Sequence, residues 1–188
     1  MAIATLAVAI LLIGIPTIAD PSKLADLAIH NPLPLLLQDG LKFISVATSS
    51  VLILALAAYL RRDASALLSV ATGFGFFSVL CLLGNTILSL YAISQAATYD
   101  QATSLGSSQL NSIIGILAMA AISLDGVWCL LVSWTALKSQ RLPRFLCYLG
   151  LGMGVLSLLP PLGIIVLLLS ILWSMCIGRV LLQEEPAG

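Results

Sequence analysis

Asp125 stands in the apolar run Ile122-Ser123-Leu124-Asp125-Gly126-Val127-Trp128, where an acid has chemistry to offer. A carboxylate at the bilayer centre costs about 2.5–3.5 kcal/mol on insertion scales, so it normally faces a bundle interior, pairs, or stays protonated. Two readings follow. In one, Asp125 is a proton-titrating or ligand-binding acid within a cavity. In the other, it is a protonated or hydrogen-bonded Asp that fixes helix packing. On a helical wheel it shares its face with Ala118, Ala121, Ile122, Trp128 and Cys129. The small residues admit a neighbouring helix, and Trp128 can wall a pocket.

Helix rise suggests what could meet Asp125. It lies 13 residues before Lys138, about 20 Å from that end at the α-helical rise. The same 13-residue step leads from Arg61 back to Thr48, beside Ser49 and Ser50, and from Arg144 on to Ser157. From Asp63 it reaches Phe76, with Ser78 nearby. Hydroxyls from three other segments are thus expected at one depth: Thr48 and Ser49, Ser78, and Ser157. Asn85 lies 22 residues from Asp63, about 13 Å further out by the same rise, and pairs with Asp125 only through a strong tilt.

Other constellations are absent from the sequence. The single histidine, His30, has no identifiable partner for catalysis or haem ligation, and reads as a solvated interfacial residue. There is no G-x-S-x-G elbow for a nucleophilic serine. Cys81, Cys129, Cys147 and Cys176 lie in apolar segments with no C-x-x-C pair and no zinc spacing, and read as small buried hydrophobes. No metal site is expected and no cofactor is specified. A zero net charge without a basic run excludes a nucleic-acid surface.

The elements that must position these residues follow from composition. Of 188 residues, 60% are hydrophobic and 9% charged, with a mean hydropathy of +1.13. A soluble domain carries about 25% charged residues to hydrate its surface. The apolar residues also form long runs, which points to lipid as the solvent. There every backbone polar group must be paired internally, by helices or closed-barrel strands. Ile164 to Leu172 is continuously apolar apart from Ser170, which excludes the alternation of a barrel strand.

The fold class is therefore all-α: a single-domain integral membrane bundle of about six transmembrane helices, at roughly 2–19, 40–60, 64–97, 109–137, 145–159 and 162–182. Thr17-Ile18-Ala19 resembles a signal-peptide cleavage site, but the segment lacks a basic n-region and reads as a retained helix. The third segment is about 50 Å long by helix rise. It must tilt, kink near Gly73, Gly75 or Gly84, or project into water. Asp20-Pro21 opens a short interfacial helix over about 21–30, closed by Asn31-Pro32.

Six of the eight basic residues mark one side in this even-span scheme: Arg61, Arg62, Lys138, Arg141, Arg144 and Arg179. Lys23 and Lys42 fall on the other, beside Asp20, Asp26 and Asp39. The positive-inside rule then puts both termini in the cytoplasm. Tyr59, Trp134, Tyr148 and Trp173 lie near the basic ends, as an aromatic belt requires. Arg61, Arg62, Lys138, Arg141 and Arg144 serve topology and headgroup contact. Gly150-x-x-x-Gly154 is a close-packing face, for an intrachain neighbour or a dimer partner.

A helix ending in Trp134 and Leu137, a basic turn with Leu142-Pro143-Arg144, and a glycine-rich helix from Leu149 to Leu159 follow one another in the C-terminal half. This order resembles a family of bacterial polytopic membrane proteins of unassigned activity, domain of unknown function 4386. The resemblance implies a bacterial plasma (inner) membrane location and no chemistry. The expected role is a non-enzymatic accessory, assembly or binding component, in contact with the lipid bilayer and with a membrane-protein partner or a second copy. The alternatives are a small-molecule or proton carrier or sensor at Asp125 and, third, an intramembrane enzyme.

Overall fold

A backbone in an apolar run satisfies its own polar groups by coiling, and every long run described takes that form. The computed structural model describes residues 31–60, 66–98, 104–140, 142–159 and 163–183. These hold five α-helices and, among the described residues, no strand: α1 Leu33–Leu60, α2 Ala66–Thr98, α3 Ser104–Ser139, α4 Arg144–Ser157 and α5 Gly163–Gln183. Three are long and apolar enough to cross a membrane, at Leu33–Leu60, Ala66–Gln95 and Gln109–Ser139. Arg144–Ser157 and Leu168–Val180 are shorter apolar helices. The expected segments at 2–19 and 21–30 lie outside the described residues.

Helix boundaries differ from the expected ones where polar residues join a helix. α1 begins at Leu33, seven positions before the apolar run expected at 40. Pro34 falls in its first turn, where a missing N–H costs nothing, and the Leu36 N–H donates to the Pro32 carbonyl at 3.0 Å. Asp39 consequently sits inside a helix, not just before its start. α3 starts at Ser104, five residues before the expected 109, so a polar first turn precedes its apolar stretch. α2 is helical without a break through Gly73, Gly75 and Gly84.

Two compact units divide the chain: Met1–Ser49 with Val79–Ala120, and Ser50–Ser78 with Ala121–Gly188. In the first, Asn85 of α2 donates to the Ile114 carbonyl of α3 at 2.8 Å and accepts from Lys42 of α1 at 3.4 Å, so three helices meet at one amide. In the second, the core comprises Ile53, Leu56 and Leu60 of α1, Leu68 and Ala71 of α2, Trp128, Cys129, Val132 and Ala136 of α3, and residues of α4 and α5.

Small residues set the α3–α4 contact within the second unit. A β-carbon at Gly126 would collide with the Ser157 hydroxyl, and one at Gly150 with the Ser133 hydroxyl. Gly126 and Ser133 are seven residues apart on α3, as are Gly150 and Ser157 on α4, so both contacts share one antiparallel register. Trp173 of α5 closes the group. Its indole N–H donates to the Leu146 carbonyl at 3.1 Å, and its ring stands edge-on to Trp128 with centroids 5.9 Å apart.

Between α3 and α4, Gln140 takes φ 54°. This left-handed conformation after a helix end is glycine's preferred place, and a side chain there costs about 1–2 kcal/mol. Gln140→Gly is expected to stabilise the protein by about 1 kcal/mol, read as a raised thermal midpoint in detergent. Gly150→Leu is expected to destabilise it by about 1–3 kcal/mol through overpacking against Ser133 and Trp173. An unchanged midpoint for Gly150→Leu would contradict the close α3–α4 packing.

Candidate functional site

Asp125 occupies α3 with its side chain partly exposed. No hydrogen bond or ion pair reaches its carboxylate among the described residues. Its neighbour Gly126 meets α4, and this contact brings Ser157 to the adjacent position. The Ser157 hydroxyl, however, is buried and donates to Gly154 of its own helix at 2.8 Å. One turn before Asp125, the Ala121 carbonyl accepts from the buried Ser78 hydroxyl of α2 at 2.9 Å. The Ser78 and Ser157 hydroxyls thus bond to backbone, as is usual in membrane helices.

Trp128 is buried, its indole fitted against Gly75 of α2. A β-carbon at Gly75 would stand 2.8 Å from Trp128 Cδ1 and 3.0 Å from Ile53 Cδ1. Opposite that contact lies Trp173. The ring of α3 therefore joins α2 and α5 as a core side chain. Gly150 faces Ser133 and Trp173, and Gly154 faces Leu130 and the Gly126 carbonyl.

Thr48 and Ser49 belong to the other compact unit. Thr48 is exposed and donates to the Ile44 carbonyl of its own helix at 2.6 Å, while Ser49 is half-buried. Lys138 and Arg144 are exposed at the two sides of the α3–α4 turn, close to exposed Trp134 and Tyr148. Arg61, Arg62 and Arg141 lie outside the described residues.

A second polar group forms in the first unit. Asp39 is buried, with a side-chain exposure of 3%, and accepts from Lys42 Nζ on Oδ1 at 2.8 Å. The same ammonium reaches Asn85 Oδ1 at 3.4 Å. The amide orientation of Asn85 is fixed from its other side, because Nδ2 must face the Ile114 carbonyl. Asp39 Oδ2 is buried with no hydrogen-bond partner among the described residues. The sequence alone put Asp39 and Lys42 on the non-cytoplasmic side, Asp39 just before and Lys42 just within the segment expected from 40, and set Asn85 only against Asp125. The available signal was the i, i+3 spacing of an acid and a base, once α1 is extended to Leu33.

Among the described residues, no three His, Cys, Asp or Glu side chains gather as a metal would need. Cys81, Cys129, Cys147 and Cys176 are free thiols.

A carboxylate without a partner destabilises an apolar helix. Asp125→Leu is expected to stabilise the protein by about 1–3 kcal/mol, measured as a higher thermal midpoint in nanodiscs. A lowered midpoint would show that the acid fixes packing. In comparisons with known proteins, no family model, curated protein or solved structure matches this chain.

Proposed function

We propose that this chain is a non-enzymatic integral membrane protein, an accessory, assembly or binding component of a membrane system. The observation that carries the reading is the disposition of its polar groups. Ser78 and Asn85 bond to the carbonyls of a neighbouring helix, and Trp173 does the same from α5. Thr72, Thr86, Thr135 and Ser157 bond to carbonyls of their own helices. The polar side chains thus support a scaffold, while its outward faces carry large apolar residues such as Val51, Phe77, Leu80 and Ile116. Such faces suit lipid, a membrane-protein partner or a second copy of the chain.

The proposal includes six spans with both termini in the cytoplasm. Exposed Lys138, Arg144 and Arg179 support that orientation through the positive-inside rule. The resemblance in the C-terminal half to an uncharacterised bacterial family supports a plasma-membrane location. A second reading, a carrier or sensor of a proton or small molecule at Asp125, is favoured by that carboxylate's lack of a hydrogen-bond partner among the described residues.

Native mass spectrometry after extraction in mild detergent is expected to show a homo-oligomer or a stoichiometric co-purifying membrane protein. A strictly monomeric particle without a partner would overturn the assembly role. For the second reading, Asp125→Asn keeps shape and removes titration. Reconstituted vesicles are expected to lose proton-coupled uptake or response in that variant, and an unchanged response would remove Asp125 from the function.

A further inference from the structure

The Asp39–Lys42–Asn85 group has an unfilled valence that helix packing does not explain. Asp39 is buried, yet Oδ2 has no donor among the described residues. A buried carboxylate oxygen without a hydrogen bond is costly, because water no longer solvates it. Around the Lys42 ammonium stand Asp39 Oδ1 at 2.8 Å and Asn85 Oδ1 at 3.4 Å, while Asp39 Oδ2 belongs to the same carboxylate. The ammonium therefore meets two oxygens from two helices, and the second carboxylate oxygen beside them has no donor among the described residues; one net negative charge holds one tethered positive occupant.

The occupant is the least fixed member. The side chain of Lys42 keeps 23% of its surface exposed against 3% for Asp39. Its long stem lets the ammonium swing toward water while the stem stays on apolar surface. Lys42 lies 18 residues before Leu60, the last residue of α1, about 27 Å along the helix, close to one hydrocarbon thickness. The ammonium thus has water within reach at the membrane face opposite the Leu60 end of α1. Asn85 cannot turn its oxygen away, since its amide nitrogen is tied to the Ile114 carbonyl.

We propose that Asp39 and Asn85 form a monovalent-cation site in which the Lys42 ammonium is a displaceable internal occupant. Charge selects the valence. One carboxylate neutralises one positive charge, so a sodium ion replaces the ammonium without adding charge to the buried group. Divalent cations favour larger oxygen sets, and calcium takes six to eight oxygen ligands. On exchange, Lys42 moves to water and Oδ2 gains the partner it lacks. The site stands independently of the assembly role, because it requires neither an oligomer nor a partner.

Sodium itself is the probe. In nanodiscs, Lys42→Met removes the internal occupant and keeps the apolar stem. Its thermal midpoint is expected to rise saturably with sodium chloride relative to choline chloride at equal ionic strength. Wild type should need roughly tenfold more sodium, because its affinity is reduced by the fraction of time Lys42 leaves the site free. Adding Asp39→Asn to Lys42→Met should abolish the response. Where Lys42→Met does not fold, saturable binding of radiolabelled sodium to the wild-type protein, lost in Asp39→Asn, tests the same site. A folded Lys42→Met variant indifferent to sodium, absence of saturable sodium binding, or equal binding by Asp39→Asn would each overturn the proposal.

Discussion

Close backbone approach is the constraint on which the second compact unit depends. Lipid tails are as apolar as leucine, so burial of apolar surface gives two membrane helices little reason to associate. Contact density and interhelical hydrogen bonds must supply the attraction instead. The α3–α4 pair meets this requirement with glycines at 126, 150 and 154 and hydroxyls at 133 and 157, none of which holds the backbones apart. α4 has only 14 residues, so its place depends strongly on this contact and on α5. Trp173 joins the three helices through a hydrogen bond to α4 and an edge contact with Trp128.

Size complementarity explains the placement of the bulky rings. Trp128 needs space, and Gly75 on α2 provides it. Large and small residues thus alternate across facing helices, which fills volume without forcing side chains from their rotamers. The Ser133 hydroxyl illustrates the cost of this packing. It is buried against Gly150 and has no hydrogen-bond partner among the described residues. Dense contact at that position outweighs one lost hydrogen bond.

The two acids among the described residues show opposite treatments of charge. Asp39 is buried, has a base one turn away, and belongs to a group that reaches α2 and, through Asn85, α3. Asp125 is partly exposed and has no such support among the described residues. A buried charge pair contributes little net stability, because desolvation opposes attraction, so its value lies in specifying which groups meet. Asn85 serves that end by fixing three helices to one amide. An acid that specifies no contact is the one whose retention asks for another reason.

The apolar composition and the length of its runs determined the all-helical architecture and three helices long enough to span a bilayer, because unpaired backbone cannot exist in hydrocarbon. Those features are properties of single segments and are legible residue by residue. The ring of hydroxyls expected around Asp125 was built from depth alone, and depth says nothing about rotation. In the structure Ser157 meets Gly126, the chain neighbour of Asp125, and turns its proton to its own backbone. The Asp39–Lys42–Asn85 group was illegible because Gln38 and Asp39 interrupt the apolar run, which α1 continues through them back to Leu33. Its amide partner lies 43 positions away from Lys42, a separation that no periodicity encodes. Helix formation is local and was written in the sequence; which faces meet is a balance of packing between distant residues, and only the tertiary structure decided it.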